Sequence, residues 1–186
     1  MPADWTEMLP EAREEWLLGA LEDAEQLDAI LDALAAVAEE GDLELADAWG
    51  GLAADTLAER RDRVGLAALW CRVSGWRAND KAFKAACRAS LASVFRARAD
   101  KERLTAAGFD ADDVDGAEAL RRLQTLLALD AGVLCLDKTW GFGVVKRVDD
   151  FYGKVTIDFE DKPGHEFSFA HAAQVLQLPL QLLVPF

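Results

Sequence analysis

The sequence predicts an α+β protein in which antiparallel helical hairpins precede a small β-barrel. Two observations support this prediction. Up to about residue 129 the chain is rich in Ala, Leu, Glu and Arg, with apolar residues at helical spacing. From Gly132 it changes to short β-branched and aromatic runs separated by glycine. We therefore expect a helical domain over residues 1–130, a barrel over 131–178 and an apolar tail over 179–186.

The helical part contains two candidate hairpins. Apolar residues at helical spacing begin after Pro10 and end at Gly41, and a second helix covers about 43–60. The next pair consists of a helix over 64–73, a connector over 74–79 and a long helix from Asp80 to about Arg98. The connectors are about 36 residues apart, close to the period of helical repeats, but the sequence has no repeat consensus, so we interpret them as generic antiparallel helix packing. Asp115, with Glu118 three positions later, predicts the capped start of a last helix.

Four short strands are predicted in the second part, over residues 132–136, 143–148, 154–159 and 165–169, followed by one helical turn over 170–176. Val155, Ile157 and Phe159 alternate with polar residues, as in a strand with one buried face. Four strands in under 40 residues suit a strongly bent sheet or a partly open barrel.

The charge is distributed unevenly. The chain has 34 acidic and 20 basic residues and a net charge of −14, which argues against general affinity for phosphate backbones or anionic membranes. Residues 1–59 carry 17 acids and one base, whereas residues 60–104 carry 12 bases and four acids. Two interpretations are open. The segments are neighbouring helices whose charges face each other or the solvent, or the basic segment forms a patch for an acidic partner. In the second case the candidate anion-binding or nucleic-acid-binding residues are Arg77, Lys81, Lys84 and Arg88.

Signatures of catalysis and of metal binding are not found in the sequence. Cys71, Cys87 and Cys135 lack any C-x-x-C spacing, and the acidic run from Asp110 to Gly116 does not fit a calcium loop. We therefore expect no enzyme, no metal, no cofactor and no small-molecule substrate. The amino terminus has no basic or apolar leader, and no stretch approaches 18 apolar residues, so we expect a cytoplasmic protein with reduced thiols and without membrane contact.

The strand region resembles a known group of domains. Its three runs are TWGFGVVKRVD over residues 139–149, GKVTIDF over 153–159 and KPGHEFSF over 162–169. They resemble small Tudor-like or SH3-like barrels. More narrowly, they resemble the barrel in the long amino-terminal extension of Gre-type transcript cleavage factors from chlamydial and verrucomicrobial bacteria, and more distantly the CarD-type regulators. The resemblance implies an RNA polymerase partner. It covers about 45 residues and does not include the acidic coiled-coil tip with which Gre factors act.

The resemblance and the residues together predict a non-catalytic, transcription-associated module whose barrel contacts a protein. Trp140 packs in the barrel mouth or stands at its rim, and Phe151 and Tyr152 lie in a turn, where core packing explains them poorly. We interpret His165 as a turn residue that donates a hydrogen bond. The predicted partner-binding residues are Trp140, Phe142, Lys146, Arg147, Phe151, Tyr152, Lys154 and His165. The alternatives are a helical-repeat adaptor, or nucleic-acid binding through the basic helical face.

Overall fold

A computed structural model describes residues 2, 5–77 and 81–178, except for the side chain of Lys81; the predicted tail over 179–186 lies outside the described residues. Helices precede the sheet, as predicted. The elements are α1 (Pro10–Glu22), α2 (Leu27–Glu39), α3 (Leu43–Glu59), α4 (Arg63–Arg77), α5 (Lys81–Val94), α6 (Arg98–Ala107), α7 (Gly116–Ala128), β1 (Leu134–Asp137), β2 (Gly141–Asp149), β3 (Lys154–Phe159), β4 (Lys162–Ser168) and α8 (Phe169–Val175). Single 3₁₀ turns cover Trp5–Glu7 and Ala24–Gln26.

The chain forms two compact units, the first ending at Trp76 and the second beginning at Arg77. The first unit contains α1 to α4 around buried leucines and Trp5, whose ring meets those of Trp16 and Trp49 edge-on at 5.4 and 6.0 Å between centroids. Gly41, at φ +94°, follows α2 as predicted, because a positive φ there strains any other residue. The predicted single stripe before Gly41 is two helices, separated at Asp23, whose carboxylate accepts from the N–H of Glu25.

Two of the predicted helix boundaries are wrong. The expected connector over 74–79 continues α4 as far as Arg77, where Trp76 Nε1 donates to Asp47 at 3.2 Å, a contact between distant parts of the chain that local pattern does not predict. The expected long helix to Arg98 ends at Val94, because Phe95 is fully buried and Ala97 is extended before α6 begins.

The second unit joins α5 to α7 with the sheet and α8. Its strands are antiparallel in the order β1-β2-β3-β4, with bulges near Val145 and Ile157. They form an open four-stranded sheet, so the predicted strands are present but closure into a barrel is not observed among the described residues. One sheet face packs on α7 and α8 through a core that includes Leu126, Val145, Ile157, Phe167 and Ala172. Residues on both sides of the predicted boundary at residue 130 therefore share one core.

The acidic and basic residues are distributed unequally between the two units. Residues 1–76 carry 18 acidic and five basic side chains, whereas the rest of the chain carries 16 acidic and 15 basic ones. The second unit is thus close to neutral, and nearly all of the net negative charge belongs to the first. Within the described residues, no helix has both the length and the hydropathy needed to cross a membrane.

Candidate protein-interaction site

The outer face of β1 and β2 carries exposed apolar side chains. In β2, Phe142 and Val144 are exposed while Gly143 and Val145 are buried, which is the alternation of a strand with one buried face. The register places Leu136 opposite Phe142 and Leu134 opposite Val144, so all four side chains lie on the same face. Phe142 is 75% exposed and Leu134 is 52% exposed. We name these four residues the β1–β2 patch.

The other half of the outer face is polar. Lys146 pairs with Asp158 at 3.4 Å, and Lys154 pairs with Glu166 at 3.1 Å. Asp158 also accepts from the N–H of Gly164, which fixes the start of β4 beside it. The outer face therefore offers the apolar β1–β2 patch bordered by ion pairs. Exposed apolar patches that are rimmed by polar residues often mark an interaction site.

The two edges of the sheet are different. The outer edge of β1 is bridged by Gln177, which exchanges two backbone hydrogen bonds with Leu136 at 2.8 and 2.9 Å. In the described part of the chain β4 pairs only with β3, and it carries Lys162 and Pro163 at its start. Proline and lysine on an edge strand disfavour further pairing there. The outer face thus offers more to a partner than the strand edge does.

Trp140 stands at the rim of the sheet, half-exposed. The buried carboxylate of Asp137 accepts hydrogen bonds from the N–H groups of Thr139 and Trp140 and so fixes the turn. The centroid of the Trp140 ring lies 5.3 Å from that of His165 and 5.7 Å from Lys162 Nζ.

The interpretation of His165 as a turn residue is wrong. It lies in β4 opposite Ile157, and its ring packs edge-on against the ring of Phe167 at 4.6 Å between centroids.

Phe151 and Tyr152 form a separate surface at the far end of the β2–β3 hairpin. They are 61% and 72% exposed, and their rings meet edge-on at 4.9 Å. Eight residues lie between Phe142 and Phe151, and the part of β2 from Phe142 to Asp149 alone spans roughly 23 Å. The residues predicted to bind one partner therefore occupy two surfaces.

The predicted cations of the sheet all take part in exposed ion pairs. Lys146 and Lys154 pair across the sheet as described, and Arg147 pairs with Asp149 on its own strand. Exposed pairs contribute little to stability, so these side chains can exchange partners at low cost. They border the candidate surfaces without holding the fold together.

The predicted basic helical face is partly committed to structure. Lys84 Nζ donates to the carbonyls of Ala111 and Val114 at 2.5 and 2.6 Å, and Arg88 pairs with Asp110 at 2.6 Å. Both residues thus hold the loop between α6 and α7. Arg77 is partly buried at the end of α4, and the side chain of Lys81 lies outside the described part.

Sequence reasoning missed the basic start of α6 beside the hairpin tip. The Arg98 guanidinium carbon lies 4.6 Å from the centre of the Phe151 ring, and Arg103 pairs with Asp150 at 2.5 Å. Arg98 and Phe151 are far apart in the chain, and no local pattern joins them. The sequence indicates the positive charge of residues 60–104, but it does not indicate that Arg98 and Arg103 contact the β2–β3 hairpin.

The Cys135 thiol is buried and poorly suited to act as a nucleophile. Burial, with a smaller contribution from the charge of Asp137, raises the pKa of the Cys135 thiol to about 11, which opposes nucleophilic use.

A cleft of about 650 Å³ lies between α7, the β1–β2 turn and the chain after α8. Two of its polar residues already have structural bonds, since Thr125 donates to the carbonyl of Arg121 and Asp137 holds the turn. Among the described residues, no group of three or more His, Cys, Asp and Glu is arranged to hold a metal ion.

Comparisons of the chain with protein-family models, with curated proteins and with solved structures gave no match. The inference about function therefore depends on the residues and the geometry described above.

Proposed function

We propose that the chain is a non-catalytic, cytoplasmic, transcription-associated binding module whose β1–β2 patch contacts a protein partner. The resemblance of the strand region implies RNA polymerase as that partner. The observation that carries the proposal is the exposure of Phe142, aligned by the strand register with Leu136 and beside Leu134 and Val144.

The energetics of the patch favour a protein ligand. Burying a large apolar side chain contributes about 1.5–3 kcal/mol, and an exposed phenylalanine at the centre of a patch is a typical interface anchor. The Lys146–Asp158 pair borders the patch and supplies a polar rim. The four residues of the patch are far fewer than the about 20–30 residues that each partner contributes to a standard interface, so in this proposal the patch is the centre of a larger contact and too small for a stable dimer by itself.

The sheet holds the patch rigidly. The opposite face of β2 is anchored by Val145 in the core shared with α7 and α8, so the patch does not depend on a mobile loop. Binding therefore needs little ordering of the chain, which lowers its entropic cost. In this proposal the helical part of the chain acts as a scaffold.

The test is a binding assay between the full chain and purified bacterial RNA polymerase. The wild type is compared with Phe142→Ala, and with Val64→Ala as a matched control, because Val64 is also an exposed apolar residue but lies on α4. We expect Phe142→Ala to weaken binding at least about 10-fold, as for an interface anchor, and Val64→Ala to leave it unchanged.

Two results would contradict the proposal. Absence of binding by the intact chain would exclude RNA polymerase as the partner. Equal binding by the two variants, with thermal unfolding showing both to be folded, would exclude the β1–β2 patch as the contact.

A further inference from the structure

We propose that the tip of the β2–β3 hairpin and the start of α6 form a binding surface for single-stranded nucleic acid. This tip surface consists of Phe151, Tyr152, Arg98 and Arg147. It is separate from the β1–β2 patch and independent of the proposed protein partner.

The two aromatic rings are not needed to build the turn that carries them. The turn is closed by Asp149, whose carboxylate accepts from the N–H of Tyr152 at 3.1 Å, and by Gly153 at φ +60°. Neither ring is buried in the core. Phe151 carries Arg98 on its ring and meets Tyr152 edge-on, yet the two residues are still 61% and 72% exposed, so ring surface remains accessible to a planar ligand.

One guanidinium group, that of Arg98, lies against a ring, and a second, that of Arg147, pairs with Asp149, whose carboxylate closes the turn. Arg98 lies over Phe151 at 4.6 Å, and the side chains of Arg98 and Arg147 are both largely exposed. A guanidinium can stack on an aromatic ring while its edge donates to a phosphate, which an ammonium group cannot do. The surface thus combines stacking faces with phosphate donors.

The carboxylates at this tip are neutralised by arginines. Asp149 pairs with Arg147, Asp150 pairs with Arg103 at 2.5 Å, and Glu102 lies 4.0 Å from Arg98. The acids therefore do not present isolated negative charge to a phosphate. Each exposed arginine keeps N–H groups beyond those that its own carboxylate accepts.

The charge balance favours a single strand over a duplex. The second unit is close to neutral, so it lacks the broad positive field with which proteins hold duplex backbone. In a single strand the bases are free to stack, and each base on an aromatic ring contributes about 1–3 kcal/mol. We expect affinity to depend mostly on the rings, and only two phosphates to be contacted, by Arg98 and Arg147.

The experiment measures fluorescence anisotropy of a labelled oligothymidine of about twelve nucleotides, within the site size of single-strand-binding folds. The full chain is titrated at about 50 mM and about 200 mM salt, with a duplex of equal length as the comparison. We expect saturable binding to the single strand and binding to the duplex at least about 10-fold weaker. For two phosphate contacts, the slope of log K against log salt should be about −1.4.

Variants separate stacking from simple apolar contact. Phe151→Leu with Tyr152→Leu keeps apolar side chains but removes the rings, so we expect at least about 10-fold weaker binding to oligothymidine. Arg98→Ala with Arg147→Ala should flatten the salt slope toward zero. Val64→Ala, at an exposed position of α4 that belongs to neither proposed surface, is the control and should bind oligothymidine like the wild type.

The outcomes that would overturn the proposal are specific. No saturable binding by the intact chain excludes it, and so does equal or tighter binding of the duplex. If the double leucine variant stays folded and binds like the wild type, the rings are not a stacking platform, and the tip surface is then an apolar contact for protein. Failure of Phe142→Ala in the RNA polymerase assay leaves this result unaffected, so the two proposals fail independently.

Discussion

The buried carboxylate of Asp137 holds the backbone of Trp140. A single oxygen, Oδ1, accepts from the N–H of Trp140 at 2.9 Å and from that of Thr139 at 2.7 Å. Asp137 ends β1 and Gly141 begins β2, so this carboxylate fixes the turn that aligns the two strands of the β1–β2 patch.

Two substitutions of Asp137 distinguish the contribution of its hydrogen bonds to stability from the contribution of its charge. Asp137→Ala removes the acceptor of two backbone hydrogen bonds and should lower the free energy of unfolding by about 1–3 kcal/mol. Asp137→Asn keeps an oxygen in the Oδ1 position and should cost clearly less. Urea unfolding followed by tryptophan fluorescence measures both. Equal losses for the two variants would show that the charge, and not the acceptor geometry, stabilises the turn.

Local signals explain which parts of this fold were predictable. The bounds of β3 coincide with the predicted strand because its alternation is complete, and Asp115 caps α7 as expected, accepting from the N–H of Glu118 at 2.8 Å. The break between α5 and α6 has no glycine or proline to mark it, since burial of Phe95 is a tertiary effect. The order of helices before a four-stranded sheet thus follows from local pattern, whereas that break does not.

The candidate site was predictable as a set of residues but not as an arrangement. Exposed Phe142, Phe151 and Tyr152 all follow from strand and turn signals. Their division into two surfaces depends on the register and on the position of Arg98 beside Phe151, a contact between distant parts of the chain. The structural role of Lys84 was hidden for the same reason, because the carbonyls that it contacts lie 27 and 30 residues away.

Gly143 is required for packing on the inner face of β2. A Cβ at this position would lie 2.7 Å from Ile157 and from two ring carbons of Phe159, which belong to the core. Gly143→Ala should therefore destabilise the protein by about 1–3 kcal/mol. Calorimetric or fluorescence-detected thermal unfolding checks this prediction.

The matched control for Gly143 is Gly75→Ala. Gly75 lies in α4, and a Cβ there meets no atom within 4 Å. Alanine should therefore stabilise the helix by about 0.5–1 kcal/mol. A loss at Gly75 as large as that at Gly143 would contradict the helical assignment of the segment that the sequence predicted as a connector.

Lys84 should contribute to the stability of the fold, which distinguishes it from an exposed anion-binding residue. Lys84→Met keeps most of the aliphatic chain but removes the donor to the carbonyls of Ala111 and Val114, so we expect a loss of about 1–3 kcal/mol in unfolding free energy. Arg98→Ala, at an exposed ion pair, should cost less than about 1 kcal/mol. Unchanged stability in Lys84→Met would return this side chain to the candidate anion-binding residues.

Glu118 should make the stability of the second unit depend on pH in acid. Its carboxylate accepts from Arg121 at 2.7 and 2.8 Å and from Arg122 at 2.7 Å. The hydrogen bond from Arg121, helped by Arg122 and opposed by partial burial, lowers the pKa of Glu118 from 4.5 to about 2. Because the folded pKa is the lower one, the ionised carboxylate stabilises the fold above about pH 4.5, and this contribution is lost as the pH falls toward 2.

Comparison with Glu118→Gln isolates that contribution, since the other carboxylates titrate alike in both proteins. The variant should be less stable than the wild type at neutral pH, and the difference should shrink as the pH falls from about 4.5 toward 2. Urea unfolding across that range measures the difference, and added salt should reduce it, because the pair is partly exposed. A difference that stays constant into acid would show that the glutamate acts through its shape or its neutral hydrogen bonds and not through its charge.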